Sequence, residues 1–186
     1  KSKADAERQV LDAHPGALVV RTSAFFGPWD KHNFVTLALQ ALKRGDSFRA
    51  ASDLVVSPTY VPDLVHTCLD LVIDGEAGIW HLANAGSVTW AELARKAAEQ
   101  AGIDTSRLEA VPAAELGLRA ARPRQAALRS ERGQLLPTLD SALTRYLELR
   151  NHHDQEMDEL IRAAESRQPQ AGQRELEAPP PEAFQA

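Results

Sequence analysis

Apolar residues recur along this chain in two alternating rhythms. Ala4, Ala6, Val10 and Leu11 fall near the helical period and predict a helix over residues 4–14, stopped by Pro15-Gly16. Residues 17–22 (ALVVRT) form an apolar, β-branched run of strand length, the pattern of a buried parallel strand. After the Gly27-Pro28 turn a second helix is predicted over residues 33–43, with Phe34, Leu37, Ala38, Ala41 and Leu42 on one face and Gly45 at its end. Residues 54–56 are a short extended piece closed by Ser57-Pro58. Pro62 suits the first turn of a helix that runs to about Ile73 and carries Leu64, Val65, Cys68, Leu69 and Val72. Residues 78–82 (GIWHL) are the next strand. Thr89-Trp90-Ala91-Glu92 is a capping box that opens a helix to Gln100, with Gly102 as its stop. A last short strand at residues 107–111 and a last helix at 139–149 complete an alternation of strand and helix, the signature of α/β layering.

Beyond residue 149 the pattern changes. Met157, Leu160, Ile161 and Ala164 keep helical spacing and predict a short solvated helix over residues 153–167. From Gln168 onward Pro169 and Pro179-Pro180-Pro181 stand among Gln, Glu and Ala, a composition that cannot bury enough apolar surface to order itself. The expected organisation is therefore a body at 1–149, an acidic helical extension at 150–167 and a disordered tail at 168–186. Charge sharpens this division. Of the formal charge of -5, residues 150–186 contribute four Arg against eight Asp and Glu, so the body is nearly neutral. That balance opposes nucleic-acid binding, which wants a basic face. The one basic cluster, Arg119, Arg122, Arg124, Arg129 and Arg132, suits a phosphate-bearing small molecule instead. No apolar run approaches the ~20 residues of a membrane span, so no membrane association is expected. Residues 1–7 lack the apolar core of a signal peptide, and the single Cys68 fits a reducing, cytoplasmic setting. The chain opens on helical sequence without an initiator methionine, which reads as a cut edge.

Several chemistries find little support. The six histidines show neither H-E-x-x-H nor a cysteine at ligand spacing, so no metal site is expected. His66 and Asp70, four apart on one helix, read as surface polarity, and His152-His153-Asp154 as a solvated stretch. Thr22-Ser23-Ala24 is not a G-x-S-x-G nucleophile elbow. No glycine-rich G-x-G-x-x-G occurs in the 186 residues, so a dinucleotide's pyrophosphate has no loop here. Three segments keep a functional reading beside a structural one. Residues 21–29 end a buried strand in hydroxyl residues and aromatics, where α/β sheets bind ligands, yet Phe25, Phe26 and Trp29 could simply pack a core. Residues 57–64 present Thr59 and Tyr60 before a helix N-terminus, a place that favours anions, or form a rigid loop. Lys3, four residues before Glu7, is on chemistry alone a surface ion pair.

Taken together and in order, Lys3 with Glu7, RTSAFFGP at 21–28, Asn33-Phe34, VSPTYVPDL at 56–64, GIWHLAN at 78–84 before the TWAEL helix, and Arg122-Pro123 resemble the dTDP-4-dehydrorhamnose reductases. These are extended short-chain dehydrogenases with a Rossmann-type fold that use NADPH. The resemblance covers about residues 1–149. It implies an α/β fold: the C-terminal part of the NAD(P)-binding domain with its small substrate-binding domain. It implies reduction of a 4-keto-deoxysugar nucleotide by a Tyr-x-x-x-Lys pair, in which Lys3 is the lysine and the tyrosine would fall just before residue 1. A chain lacking that acid is expected to be inactive alone. Thr22 and Ser23 would lie beside the nicotinamide together with Lys3. Ala24, Asn33, Thr59 and Tyr60 would line the sugar-nucleotide pocket, and Arg122 would approach the diphosphate. Two positions depart from the family: Ala24 stands where members often carry Trp, and Arg124-Gln125-Ala126 replaces the more usual small-aromatic-serine pattern. The full-length protein is expected as a homodimer. The same fold is similar to the regulatory subunit of methionine adenosyltransferase, so a non-catalytic binding or regulatory module is the competing reading.

Overall fold

The computed structural model describes residues 2–167. The chain divides into two units, Lys1–Arg150 and Asn151–Ala186. The elements in order are α1 (Ser2–Ala13), β1 (Leu18–Arg21), β2 (Phe25–Phe26), α2 (Phe34–Lys43), β3 (Phe48–Ala51), β4 (Val55–Val56), β5 (Thr59–Tyr60), α3 (Val61–Ile73), β6 (Gly78–His81), β7 (Val88–Thr89), α4 (Trp90–Gln100), β8 (Leu108–Val111), a 3-10 turn (Ala113–Leu116), β9 (Gln125–Ala126) and α5 (Leu139–Arg167). The tail expected at 168–186 lies outside the described residues.

Helix ends follow local chemistry. Asn33 Oδ1 accepts the Thr36 N–H at the start of α2, and Thr89 and Glu92 exchange hydrogen bonds in the capping box that opens α4. At the other end of α2, the Gly45 N–H bonds to Leu42 O and the Asp46 N–H to Ala41 O; Gly102 and Ile103 close α4 the same way. Such closures need a left-handed residue, and Gly45 and Gly102 take φ of 76° and 66°. No glycine or proline stands between Leu139 and Arg167. The two helices expected at 139–149 and 153–167 are accordingly one helix of 29 residues.

The strands pair over short stretches. β1 runs parallel to β6, from Leu18 opposite Gly78 to Arg21 opposite His81, and β2 to β5, and β3 to β8. β4 lies between antiparallel β7 and parallel β9. Parallel pairing requires crossovers, which α2, α3 and α4 help to supply. One core is built by α2, α4 and α5 around Phe26, Val35, Leu39, Tyr60, Leu93, Leu143 and Tyr146. A smaller one packs α3 on β1 and β6 through Leu71, Trp80, Leu82 and Leu136, with Leu64 and Cys68 at its edge.

Two helix faces differ from the sequence expectation. On α2 the buried apolar residues are Val35, Ala38, Leu39, Ala41 and Leu42: Ala38, Ala41 and Leu42 are as expected, Leu37 is exposed, and Val35 and Leu39 take its place in the core. On α3, Leu64, Cys68 and Leu71 face the sheet, and Val65, Leu69, Val72 and Ile73 form an exposed apolar row at i, i+4, i+7 and i+8.

A polar network ties the two cores. Asp63, in the first turn of α3 and buried, accepts both guanidinium nitrogens of Arg145 on α5, Nη2 at 2.8 Å. Asn84 Nδ2 donates to Asp63 Oδ2 at 2.8 Å and to Pro137 O at 3.1 Å, and Asn84 Oδ1 accepts the Tyr60 N–H at 2.7 Å. Burial alone would raise the Asp63 carboxyl, but the hydrogen bonds from Arg145 and Asn84 outweigh it and hold its pKa below the ordinary carboxylate value. A depressed pKa stabilises the fold fully above about pH 4, and that contribution is lost as pH falls through the folded value. Asp63→Asn leaves Arg145 without its carboxylate and should cost about 3 kcal/mol at pH 7. It should also flatten the loss of stability on the acid side. Urea titrations at pH 7 and pH 3 check both; equal stabilities of the two proteins at pH 7 would refute the role.

Candidate functional site

Helix α1 buries no residue, so apolar packing does not fix it. It is held by a charge-assisted fork: Arg21 on β1 donates to Glu7 through Nε at 3.1 Å and through Nη2 at 2.6 Å. The hydrogen bond from Arg21 lowers the Glu7 pKa, and the same bond raises that of Arg21. Arg21 Nη1 also lies 3.2 Å from His81 Nε2, whose Nδ1 is 3.0 Å from Arg129 O. The surface ion pair expected between Lys3 and Glu7 is therefore not formed. Glu7 is taken by Arg21, and Lys3, one turn earlier, has no hydrogen bond or ion pair among the described residues.

Lys3 lines a cavity of about 640 Å³. Ser23 and Ala24 line it from the loop after β1, Phe34 from the start of α2 and Arg49, Ala50 and Ala51 from β3. Leu54, Val56, Trp90, Leu116, Leu118, Arg122, Pro123 and Ala126 complete the wall. Three cations meet here in different states. Arg49 is bound to Glu115 at 3.2 Å and to Glu109 at 3.5 Å, which ties β3 to the 3-10 turn and β8. Arg122, like Lys3, has no carboxylate partner among the described residues. A mostly apolar cavity with two uncompensated cations and no lining acid attracts an anionic ligand that has an apolar or planar part.

Of the residues proposed from sequence, Lys3, Ser23, Ala24 and Arg122 come together in this cavity, and four others do not. Asn33 is buried and spent on α2: its Nδ2 donates to Gly27 O and Asp30 O. Thr59 is fully buried, with its Oγ1 accepting from Thr22 Oγ1 at 3.1 Å, so both hydroxyls brace the pairing of β2 and β5. Tyr60 is 1% exposed, stacked against Phe26, and its hydroxyl has no partner; burial raises its pKa. These four frame the site and do not line it. The arginine cluster also divides. Arg132 donates to Glu76 and lies over Trp80, away from Arg122 in function. Of the aromatics after β1, Phe26 enters the core while Phe25 and Trp29 are exposed. Sequence reasoning missed Trp90 and Phe34, whose rings meet at 4.6 Å, and Arg49. Aromatics that open a helix beside a cap look like core residues until the tertiary fold exposes one face.

Parallel strand pairs joined through helices define an α/β protein, and its solved structural neighbours place it in the Rossmann-type, extended short-chain dehydrogenase class. Solved dTDP-4-dehydrorhamnose reductases share the architecture. One from Bacillus anthracis in complex with NADP matches with a TM-score of 0.71 at 30% identity, over 78% of this chain and 53% of that one. One from Clostridium acetobutylicum matches with a TM-score of 0.72 at 26% identity, over 79% and 53%. Residues 1–148 match the RmlD substrate binding domain, and the chain belongs to that family. Among its relatives, dTDP-4-dehydrorhamnose reductase of Mycolicibacterium smegmatis is 37% identical over 71% of this chain and 41% of its own length. A probable low-salt glycan biosynthesis reductase of Haloferax volcanii is 30% identical over 77% and 51%. The chain spans about half the length of the relatives it matches.

Ala24 takes φ of 40°, the only non-glycine positive φ among the described residues. Its carbonyl accepts the Thr59 N–H at 3.0 Å, which holds the strained loop against β5. Ala24→Gly keeps that bond and removes the Cβ penalty of the left-handed region, about 1–2 kcal/mol, against about 0.4–1 kcal/mol for the freer unfolded chain, so it should stabilise the protein by roughly 0.5 kcal/mol. Thermal unfolding checks this; a lower midpoint for the variant would contradict the strain.

Proposed function

We propose that this chain is the substrate-binding portion of an NADPH-dependent reductase of a 4-keto-6-deoxysugar nucleotide, and that the nucleotide sugar binds in the Lys3–Arg122 cavity. The observation that carries the reading is the convergence of Lys3, Ser23, Ala24 and Arg122, with two cations left uncompensated. The names of the relatives support the substrate class, since several are dTDP-4-keto or dTDP-4-dehydro sugar reductases. Arg122 presents a fork suited to the diphosphate. The residues at the nicotinamide end fit as well: the Lys3 amine is unpaired and shares the cavity with Ser23, so both can hold ribose hydroxyls. NADPH, when bound, supplies the hydride that reduces the sugar C4 carbonyl.

The proton needed at that carbonyl oxygen has no tyrosine donor in this chain. Its two tyrosines, Tyr60 and Tyr146, are both in the core, and the Tyr146 hydroxyl is 2.7 Å from Thr36 Oγ1. The chain by itself therefore binds without completing the reaction.

Thymidine diphosphate should bind the purified chain, and Arg122→Gln should weaken binding about tenfold or more, the usual loss of a charge-assisted contact. Isothermal titration measures both, and a folded chain that takes up no thymidine diphosphate would overturn the site. With dTDP-4-dehydrorhamnose and NADPH, absorbance at the dihydronicotinamide band should stay constant. Sustained oxidation by this chain would overturn the missing-acid argument.

A further inference from the structure

The cavity has a feature that the diphosphate reading does not use. Trp90 and Phe34 meet edge to face at 4.6 Å, and Phe48 backs Phe34 at 5.5 Å, so the Trp90 indole is braced in one orientation. Trp90 is half-buried and lines the cavity, whereas Trp80 is buried and Trp29 stands outside the wall. Its position is set by the sheet. Val55 at the centre of β4 pairs with Thr89 on one side and with Gln125 on the other. Two strand spacings, roughly 10 Å, therefore separate the backbone beside Trp90 from the segment that follows Arg122. A planar group at Trp90 and an anionic group at Arg122 thus lie across one strand, an arrangement that a nucleoside diphosphate can bridge.

The chemistry of the remaining wall is as telling. Apart from the indole, Ser23 is the sole neutral polar side chain among the cavity residues, and neither Asn, Gln, Thr nor a carboxylate lines it. Ala50, Ala51, Leu54 and Val56 supply apolar surface. Recognition of a base edge by side chains needs donors and acceptors fixed in its plane; here Arg49 is tied to Glu109 and Glu115, Lys3 and Arg122 are taken by the ribose and diphosphate in the reading above, and Ser23 alone remains.

We propose that Trp90 is the stacking platform for the base of the nucleotide ligand, and that this subsite reads the base through its face and apolar substituents and not through hydrogen bonds to its edge. The proposal rests on the nucleotide-sugar reading given above. It makes base selectivity shallow. A 5-methyl group buried against the apolar wall favours thymine over uracil by about fourfold, the worth of one buried methylene. Uracil and cytosine, which differ in the donor and acceptor pattern of their edge, are held within a few-fold of each other. A site that hydrogen-bonds the edge would instead separate them by orders of magnitude.

The test is isothermal titration of the purified chain with thymidine, deoxyuridine and deoxycytidine diphosphates. The expected order is thymidine tightest by about fourfold, with the other two close together. A gap of a hundredfold or more between deoxyuridine and deoxycytidine diphosphates overturns the edge-blind subsite. Trp90→Leu should weaken thymidine diphosphate by about tenfold or more, the usual loss of a base–aromatic stack, while Trp90→Phe retains most of the affinity. Arg122→Gln should weaken all three ligands alike and leave their ratios unchanged. Unaltered affinity in a folded Trp90→Leu protein overturns the platform and leaves the nucleotide-sugar reading standing. Failure of the folded wild-type chain to bind thymidine diphosphate overturns that reading itself. If Trp90→Leu does not fold, the base series on the wild-type chain and the Trp90→Phe variant still decide.

Discussion

A carboxylate buried at the beginning of a helix is the constraint on which the rest of this body depends. Asp63 sits where the free N–H groups of α3 favour a negative charge, yet removing it from water is costly unless its oxygens are satisfied. Arg145 and Asn84 satisfy them. In doing so they bring together three parts of the chain far apart in sequence: α3, the loop after β6 and the buried part of α5. Tyr60 and Pro137 are held by the same asparagine. The α2–α4–α5 core and the α3 sheet core are thus joined by a polar contact with defined geometry. Apolar packing alone would tolerate sliding; this network does not.

That arrangement explains why so many polar side chains near the site are not in it. Asn33, Thr59 and Thr22 look like ligand-binding groups in isolation, but each is committed to backbone or hydroxyl partners that fix the loops after β1 and β2. The cavity wall itself is left with groups lacking such commitments, above all Lys3 and Arg122. Rigidity and availability are divided between neighbouring residues. The strained Ala24 marks the boundary, its backbone tied to Thr59 and its side chain in the cavity.

Much of this was legible in the amino-acid order, and what was not has physical causes. Helices α2, α3 and α4 announce themselves because caps, a first-turn proline and terminal glycines are local signals. Strands of two residues such as β2, β5, β7 and β9 carry no period and appear only when a partner strand is in place. β3, with the sequence FRAA, lacks the β-branched run that marks β1. Among site residues, Arg122 stands out locally only as one of five clustered arginines, and Lys3 not at all; both gain a place in the pocket from an ordered set of motifs. Tyr60 is assigned to the pocket by the resemblance alone, and the alternative, a rigid proline-flanked loop, is closer to the fold, which sets its ring between Phe26 and Arg145. Trp90 reads in sequence as the start of a capped helix, and only the antiparallel pairing of β4 with β7 brings it to the edge of the cavity. Which way an aromatic faces is a tertiary fact.

The pairing of β1 with β6 has a further consequence. These strands form a two-stranded parallel sheet, and no third strand joins either outer edge among the described residues. Parallel sheets are normally covered on both faces and flanked on both sides. Open edges act as templates for other chains, and the apolar row Val65, Leu69, Val72 and Ile73 on α3 adds adhesive surface. Among the described residues the β1–β6 pair thus presents unpaired backbone beside an apolar helix face, two surfaces that lie next to each other on α3 and its sheet.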